Sequence, residues 1–448
     1  MAEKETKNTY FNRKIDADLL SWAQENDRKP LLLRGARQVG KSSAVRYLAK
    51  QFEHFLEINF ESDEKAISLF AKNDLSPDKL CRELSLIYET PIIPGKTLIF
   101  FDEIQKSLPA IASLRFFYEK YRELHVIAAG SLLEFALQEL PSFGVGRVRS
   151  MFVYPMSFFE FLNACNCPLL LQAIKEADIN NPLSDEVHKK IIEHFKIFLI
   201  IGGMPEVVSA YVKNNDLLYC QRVLDDLIIS LRDDFSKYKE KNPVLQISAV
   251  FESAASQMGH KFNYSNVSGD YSHRQLKEAL ELLKMSGLVI PVTHSSANGI
   301  PLGAQIDIKK QRILLLDTGI FQRILGLPLS DLIISDDFSL INKGSIAELF
   351  IGLELLKSAS CYEQKRLYYW QRENKNSNAE VDYVVQIGRD IIPIEVKSSA
   401  RGAMQSMRLF LDEKQSSYGI RTSLENFGEL PGIKIVPLYA LGNFIYPD

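Results

Sequence analysis

The sequence predicts an α/β fold of several domains, with a parallel sheet in its N-terminal part. A chain of 448 residues is longer than the about 100 to 200 residues of one ordinary domain, so more than one core is expected. Hydrophobic residues make up 46% and charged residues 24%, which is the balance of a folded globular protein. Short apolar runs that predict buried strands alternate with longer amphipathic stretches: PLLLRG, HFLEINF, TLIFFDE and HVIAAGS.

Composition limits the classes of function. A formal net charge of -3 excludes a uniformly basic surface, so any contact with nucleic acid depends on local patches. The cysteines are expected to be reduced thiols, because only Cys165 and Cys167 lie close together and no second pair completes a zinc pattern. No stretch approaches the roughly 18 apolar residues of a membrane span, and the polar first residues lack a signal-peptide core. A cytoplasmic location without a membrane partner is expected.

The first apolar run leads into a glycine-rich loop. Residues Gly35 to Ser42 read GARQVGKS, which fits the GxxxxGKS spacing of a phosphate-binding loop. In such a loop the backbone N–H groups wrap phosphates before the chain enters a helix. Lys41 would neutralise the β and γ phosphates, and Ser42 would bind Mg²⁺. The residues expected to bind nucleotide are Gly35, Ala36, Arg37, Gln38, Val39, Gly40, Lys41, Ser42 and Ser43.

A second motif predicts that the bound nucleotide is hydrolysed. The apolar run TLIFFDE ends in Asp102 and Glu103, at the carboxyl end of a predicted central strand. Asp102 can hold Mg²⁺, and Glu103 can polarise the attacking water. A kinase or a GTPase is disfavoured by this acidic pair and by the lack of a guanine-reading NKxD motif at a suitable position. ATP and Mg²⁺ are therefore the expected cofactors.

Two further segments offer residues for the same site, each with an ordinary structural alternative. HVIAAGS ends in Ser131, which is expected either to sense the γ-phosphate or to cap the end of the strand. Arg147 and Arg149, in GVGRVRS, are expected either to supply an arginine finger, in cis or to a neighbouring subunit, or to be surface arginines. The sequence leaves these alternatives open.

The middle of the chain changes from alternating strands to helices. Segment 163–240 is predicted to be mostly helical, like a small lid, and to break at Gly202-Gly203-Met204-Pro205. After Ser272, apolar residues at helical spacing end at Gly287, and two strands, LVIPVTH and AQIDI, follow around a turn. A helix followed by a hairpin is the order of a winged helix.

The motifs together resemble those of a known family: LLLRGARQVGKSS, FFDEIQ, AAGSLL, GRVRSMFVYPMSFFEF, GGMPEVV, NAEVDYVVQ and IEVKSS. The chain is similar, over essentially its whole length, to prokaryotic AAA+-type ATPases that carry a C-terminal domain of unknown function with a restriction-endonuclease-like fold. The resemblance implies an ATPase core, a winged-helix-like middle and a nuclease-like end. Together with the changes of pattern along the chain, it predicts four domains: a P-loop ATPase core at 1–162, a helical lid at 163–240, a winged-helix-like domain at 241–330 and a PD-(D/E)xK nuclease-like α/β domain at 331–448.

The last segment places acidic residues where a nuclease-like site needs them. Two predicted strands join at Gly388-Arg389, and that turn sets Asp382 opposite Glu395 on one face. Lys397 lies on the same face because side chains alternate along a strand, and Glu348 precedes them on a helix. This set resembles the metal site of PD-(D/E)xK phosphodiesterases, in which Mg²⁺ activates water. Ordinary cross-strand pairing is the alternative.

Two functions are consistent with these patterns. The first is ATP hydrolysis coupled to engagement of DNA, with metal-dependent cutting as a further step. The second is a nucleotide-gated regulatory module that binds a protein partner through an inactive nuclease fold. His273, Arg274 and Lys277 can face a DNA groove, whereas Glu278 and Glu281 oppose contact with phosphate. A homo-oligomer is also expected, because arginine fingers often come from a neighbouring subunit.

Overall fold

The computed structural model describes residues 10–72, 76–140, 146–238, 244–327, 344–373, 379–397 and 404–447. Contacts group the chain into two compact units. Unit 1 comprises Met1–Tyr154 and Ser360–Gln364, and unit 2 comprises Pro155–Ala359 and Lys365–Asp448. The first segment of unit 1 thus ends before the predicted boundary at residue 162, and the predicted boundaries at 240 and 331 lie outside the described residues. The division into four domains stays a prediction.

Unit 1 is built on a five-stranded sheet in the order β2-β3-β4-β1-β5, and all of its strand pairs are parallel. The strands are β1 (Leu31–Arg34), β2 (His54–Asn59), β3 (Thr97–Asp102), β4 (His125–Ala129) and β5 (Arg149–Phe152). Strands β3 and β4, which both lie in the interior of the sheet, are buried at every position, which explains why their sequences are nearly continuous apolar runs. The predicted parallel α/β core of the N-terminal part is confirmed.

The helices of unit 1 begin at recognisable signals. The Ser107 side chain caps α5 (Leu108–Lys120) by accepting a hydrogen bond from the Ala110 N–H. In contrast, α2 (Lys41–Leu48) follows Gly40, whose φ of 96° few other residues adopt. The remaining described helices of this unit are α1 (Lys14–Gln24), α3 (Glu64–Phe70), α4 (Pro77–Tyr88) and α6 (Leu133–Glu139).

Unit 2 begins with a series of helices, and the expected break lies between two of them. The helices are α7 (Phe158–Ala164), α8 (Pro168–Glu176), α9 (Asp185–Ile201), α10 (Pro205–Asn214), α11 (Leu217–Asp233), α12 (Val244–Ser256), α13 (His273–Met285) and α14 (Thr318–Ile324). Helix α9 ends at Gly202, which has a φ of 73°, and Pro205 is the first residue of α10. Proline suits that position because the N–H it lacks would have no partner inside the helix.

Unit 2 also contains an eight-stranded sheet in the order β12-β13-β11-β10-β9-β8-β6-β7. Its strands are β6 (Val289–Ser295), β7 (Ile306–Leu315), β8 (Leu367–Gln371), β9 (Glu380–Ile387), β10 (Asp390–Val396), β11 (Gly419–Ser423), β12 (Gly428–Leu430) and β13 (Ile433–Pro437). The other described helices are α15 (Ser345–Lys357), α16 (Gln405–Lys414) and α17 (Leu441–Ile445).

The predicted helix and hairpin of the middle segment form, but the hairpin has an additional strand partner. A capping box between Ser272 and Gln275 starts α13, and β6 and β7 pair in antiparallel fashion. Strand β6 also pairs in parallel with β8, where Val292 lies opposite Leu367. The hairpin therefore belongs to the larger sheet, because β8 satisfies the hydrogen-bonding groups of its open edge. The described residues do not show a separate winged-helix domain, and that assignment stays a prediction.

Asp317 holds the glycine break of unit 2 in place. Its buried side chain accepts hydrogen bonds from three backbone N–H groups, those of Gly203 (2.6 Å), Gly319 (2.9 Å) and Ile320 (3.2 Å). Gly202 has no room for a side chain, because an added Cβ would lie 1.9 Å from Asp317 Oδ1. Glycine is therefore required at position 202 for two reasons: the Asp317 carboxylate leaves no room for a side chain, and the end of α9 needs a positive φ.

A buried lysine and glutamate accompany this aspartate. Lys357 Nζ lies 3.5 Å from Glu354 Oε1 and donates to the Met156 carbonyl oxygen at 3.0 Å. Burial raises the pKa of Asp317 and that of Glu354, and the positive charge of Lys357 opposes both shifts. Because an isolated charge is costly in the interior, the positive charge of Lys357 stabilises the ionised forms of both carboxylates. They connect the α9–α10 break to α14 and α15.

Replacing Gly203 by alanine tests this packing. An added Cβ would lie 2.1 Å from the Met156 carbonyl oxygen, so the backbone has to shift. We expect Gly203→Ala to lower the free energy of unfolding by about 1 to 3 kcal/mol, the usual cost of overpacking an interior. Gly428→Ala is the matched control, because a Cβ there meets its nearest atom at 3.8 Å. Urea unfolding measures the difference, and equal midpoints for the two variants would contradict the packing described here.

Candidate active site

The loop between β1 and α2 has a backbone that excludes most side chains at its first position. Gly35 has a φ of 143°, and an added Cβ there would lie 2.1 Å from the Val153 carbonyl oxygen. Gln38 and Gly40 also have positive φ, of 63° and 96°. The loop leaves the carboxyl end of β1, beside the ends of the parallel strands β4 and β3. That edge is where open parallel sheets bind their ligands.

Lys41 is a buried cation directed at the loop itself. Its Nζ donates to the carbonyl oxygens of Gly35 at 2.9 Å and Ala36 at 2.7 Å. Burial lowers the pKa of Lys41 to about 8, and the nearby carboxylates of Glu103 and Asp102 oppose this shift. Neutral carbonyls compensate an ammonium only in part, so a phosphate group at the loop would be a stronger partner for this cation.

Ser42 and Asp102 bring two oxygen ligands together across the sheet edge. The Ser42 hydroxyl donates to Asp102 Oδ2 at 2.9 Å. Burial raises the pKa of Asp102, while the hydrogen bond from Ser42 lowers it and the negative charge of Glu103 raises it further. A cation placed here would offset both the burial and the repulsion. A hydroxyl and a carboxylate are hard oxygen ligands of the kind Mg²⁺ prefers, so these residues fit that ion.

Glu103 has two hydrogen-bond donors at its carboxylate. It adopts a φ of 49°, and its Oε2 accepts from Gln105 Nε2 at 2.5 Å and from the Ser131 hydroxyl at 3.4 Å. Gly130 provides the space for Gln105, because an added Cβ would lie 2.0 Å from Gln105 Oε1. Ser131 therefore contacts the acidic residue expected to polarise water. Sequence reasoning missed Gln105, although it follows the acidic pair in the same motif.

Sequence reasoning also missed two arginines that brace the loop. Arg34, which immediately precedes Gly35, forms a two-point ion pair with Glu134 of α6, and one of its bonds measures 2.7 Å from Nε to Oε1. Arg13 donates to the carbonyl oxygens of Val39 at 3.1 Å and Tyr154 at 2.8 Å. The adjacency of Arg34 to the motif is a visible signal, but its partner depends on the order of the strands.

The candidate arginine fingers lie elsewhere in unit 1. Arg149 stands opposite Leu31 in the register of β5 and β1, at the amino end of the sheet and away from the loop. It pairs with Glu25 at 2.5 Å, and Arg147 pairs with Glu119 at 2.5 Å. The described residues therefore do not place either arginine beside Lys41 of the same chain.

The C-terminal hairpin has the expected turn. Asp390 pairs with Ile387 around Gly388-Arg389, and the register continues to Ile394 opposite Tyr383. The next residues in this register are Glu395 and Asp382. Asp382 Oδ2 accepts a hydrogen bond from the Val396 N–H at 2.8 Å, and Lys397 Nζ lies 2.5 Å from Glu395 Oε1. The three predicted residues of the hairpin, Asp382, Glu395 and Lys397, are thus brought to one region of unit 2, where Glu348 of α15 is the fourth.

An arginine that the sequence analysis did not single out lies among these carboxylates. Arg312 Nη1 is 3.7 Å from Glu348 Oε2 and 3.7 Å from Asp382 Oδ1, and its Nη2 pairs with Glu380. Burial and the charge of Asp382 raise the pKa of Glu348 to about 8, against the effect of Arg312. Among the described residues, no group of three or more His, Cys, Asp or Glu side chains is arranged to hold a metal ion.

Comparisons with family models divide the chain into three matched segments. Residues 27–162 match an AAA domain, residues 192–331 match a domain of unknown function (DUF8612), and residues 343–441 match a second domain of unknown function (DUF4143). No curated protein matches the chain. The AAA match covers the loop, the acidic pair and Ser131, so the N-terminal part is a P-loop domain of the AAA ATPase type.

Within the described residues, no helix combines the length and apolar character needed to cross a bilayer.

Several solved structures are distantly similar to the chain. The Walker-type ATPase of Pyrococcus abyssi matches with 16% identity and a TM-score of 0.46, covering 70% of this chain and 96% of that chain. The ORC1 protein of Aeropyrum pernix, solved in complex with DNA, matches with 13% identity and a TM-score of 0.30, covering 72% of this chain and 95% of that chain. PCH-2 of C. elegans matches with 14% identity and a TM-score of 0.28, covering 48% and 68%.

The role of Lys41 is testable by direct binding. We expect Lys41→Ala to weaken ATP binding about 10-fold to 150-fold, because a hydrogen bond to a charged group contributes about 1.5 to 3 kcal/mol. Lys65→Ala is the control, because Lys65 is an exposed lysine of α3 in the same unit. Equilibrium titration with a fluorescent ATP analogue measures both affinities. A Lys41→Ala protein that binds as tightly as the control would contradict the assignment of the loop.

Proposed function

We propose that the chain is an AAA+-type ATPase that binds ATP and Mg²⁺ at the loop from Gly35 to Ser42 and hydrolyses the nucleotide. The observation that carries the proposal is the convergence of a buried cation, a hydroxyl and two carboxylates at one edge of the unit 1 sheet: Lys41, Ser42, Asp102 and Glu103. This combination supplies a partner for phosphate, ligands for a metal and a base for water.

Each residue has a distinct role in the proposed reaction. Lys41 contacts the β and γ phosphates in place of the loop carbonyls, and the backbone N–H groups of the other loop residues, Ala36, Arg37, Gln38, Val39 and Ser43, surround the phosphates. Ser42 and Asp102 hold Mg²⁺, which would neutralise charge on the phosphate oxygens. Glu103 orients and polarises the attacking water, and the donors Gln105 and Ser131 position its carboxylate.

A cation from another molecule completes the site. Arg147 remains the candidate arginine finger. Arg149, two residues further along, lies beside the first residue of β1, whereas the loop follows the last residue of that strand. Arg147 therefore fits a role in trans better than a role at the site of its own chain. A homo-oligomer in the cytoplasm is the corresponding proposal for assembly and location.

DNA is the proposed macromolecular partner of unit 2. Helix α13 presents Arg274, whose side chain is 89% exposed, together with His273 and Lys277. Basic side chains on one helix are suited to contact with phosphates. The pair between Arg274 and Glu278, at 3.1 Å, has to open for such a contact. ATP hydrolysis would then be coupled to engagement of DNA by the winged-helix-like and nuclease-like segments.

A second candidate function is a nucleotide-gated regulatory module with an inactive nuclease fold. The observation that favours it is Arg312, which lies within ion-pairing distance of both Glu348 and Asp382. In this case the nucleotide state of unit 1 controls how the chain presents unit 2 to a protein partner. Turnover would be slow and independent of DNA.

One experiment separates the two candidates. ATP hydrolysis is measured with and without duplex DNA for the wild type, Lys41→Ala and Glu103→Gln. We expect DNA to stimulate the wild type, and Glu103→Gln to bind ATP but hydrolyse it at least about 100-fold more slowly, as when one group that stabilises the transition state is lost. Hydrolysis without any effect of DNA would favour the regulatory module. Full hydrolysis by Glu103→Gln would contradict the proposed catalytic role of Glu103.

A further inference from the structure

Arg312 is the central cation of the carboxylate cluster in unit 2. The cluster draws its acidic residues from different elements: Glu348 from α15, and Glu380 and Asp382 from β9. Arg312 comes from β7, and its guanidinium lies within ion-pairing distance of all three carboxylates. Arg312 therefore places one positive charge beside the acidic side chains of both α15 and β9.

The guanidinium is fixed in this position. Only 7% of the Arg312 side chain is exposed, and its Cζ lies 4.7 Å from the centre of the Tyr369 ring. A cation over an aromatic ring is attracted by the negative face of that ring. The guanidinium carries a positive charge and has five N–H donors, so it can face several carboxylates at once. Glu348 and Asp382 consequently have a built-in counter-ion.

The remaining charges of the cluster have partners of their own. Lys397 Nζ lies 2.5 Å from Glu395 Oε1, and Arg421 adds a favourable positive charge near Glu395. Glu395 Oε2 is buried without a hydrogen-bond partner among the described residues, and Arg421 also pairs with Glu425 at 3.1 Å. Glu395 thus lies beside two cations of this chain, so a divalent ion would add to positive charge that is already present.

A metal ion and Arg312 require the same space. Mg²⁺ binds carboxylate oxygens at about 2.0 to 2.1 Å in octahedral geometry. An ion shared by Glu348 and Asp382 would have to lie between oxygens that are each 3.7 Å from Arg312 Nη1. It would then face a buried positive charge at close range, where repulsion is strong. Glu348 and Asp382 therefore do not fit a shared divalent ion while Arg312 is in place.

We propose that Arg312 takes the place of a divalent cation in the carboxylate cluster of unit 2, so that this cluster binds no Mg²⁺ and unit 2 is a binding module that cuts no phosphodiester bond. The proposal goes beyond the proposed ATPase function, because it concerns unit 2 alone and holds whether or not unit 1 hydrolyses ATP. It gives Arg312 a positioning role, in which it holds Glu348 and Asp382 together without metal.

The test uses Mn²⁺ as the probe on the full chain without nucleotide. Bound Mn²⁺ is counted by electron paramagnetic resonance for the wild type, Asp382→Asn, Arg312→Met and Arg312→Lys. Methionine removes the charge and keeps an unbranched side chain of similar length, whereas lysine keeps the charge. We expect the wild type, Asp382→Asn and Arg312→Lys to bind equal amounts of Mn²⁺. We expect Arg312→Met to gain one site, and the double variant Arg312→Met/Asp382→Asn to lose it.

Two results would overturn the proposal. One is Mn²⁺ binding by the wild type that Asp382→Asn abolishes, since this would place a metal in the cluster beside Arg312. The other is a folded Arg312→Met protein that gains no site. Circular dichroism checks folding, and if Arg312→Met does not fold, the comparison between the wild type and Asp382→Asn decides the question alone, because equal binding supports the proposal and a difference overturns it.

Nicking of supercoiled plasmid gives a second readout on the same proteins. We expect no nicking by the wild type in Mn²⁺ or Mg²⁺. Nicking that disappears in Lys397→Ala or Asp382→Ala would overturn the proposal, because it would require a working metal site. Neither readout depends on ATP, so failure of this proposal is distinguishable from failure of the ATPase proposal.

Discussion

A charge that is removed from water must find its partner inside the protein, and this constraint organises both units. In unit 1 the buried ammonium of Lys41 is held by two loop carbonyls and by the field of Asp102 and Glu103. Carbonyls satisfy its hydrogen bonds but leave its charge only partly compensated. The loop is therefore prepared for an anion, and phosphate is the anion that such a loop and the helix start behind it bind best.

In unit 2 the same constraint joins segments that are distant in sequence. Asp317 accepts hydrogen bonds at the glycine break and at the start of α14, while Lys357 of α15 supplies the opposing charge. Arg312 does the same for carboxylates of α15 and β9. Since removing one partner of a buried pair leaves the other uncompensated, the Asp317 cluster ties the glycine break to α14 and α15, and the Arg312 cluster ties α15 to the sheet.

Much of this arrangement is visible in the sequence, because it depends on local pattern. Some features depend only on residues that are consecutive in the sequence, and the structure has each of them: the apolar runs ending at Asp102 and Ser131, the loop spacing, the Gly202 break and the turn at Gly388. The partners of Arg34 and Arg312 are not visible, because they depend on which strands become neighbours. The pairing of β6 with β8, which draws the hairpin into the larger sheet, is missed for the same reason.

The central claim is that the loop and the acidic pair form one nucleotide site, and a crystal structure with a non-hydrolysable ATP analogue and Mg²⁺ tests it most directly. The Lys41 Nζ should leave the carbonyl oxygens of Gly35 and Ala36 and lie within hydrogen-bonding distance of the phosphates, at about 2.7 to 2.9 Å. The Ser42 hydroxyl should bind the metal, with Asp102 beside it. A nucleotide bound elsewhere, with Lys41 still on the loop carbonyls, would contradict the claim.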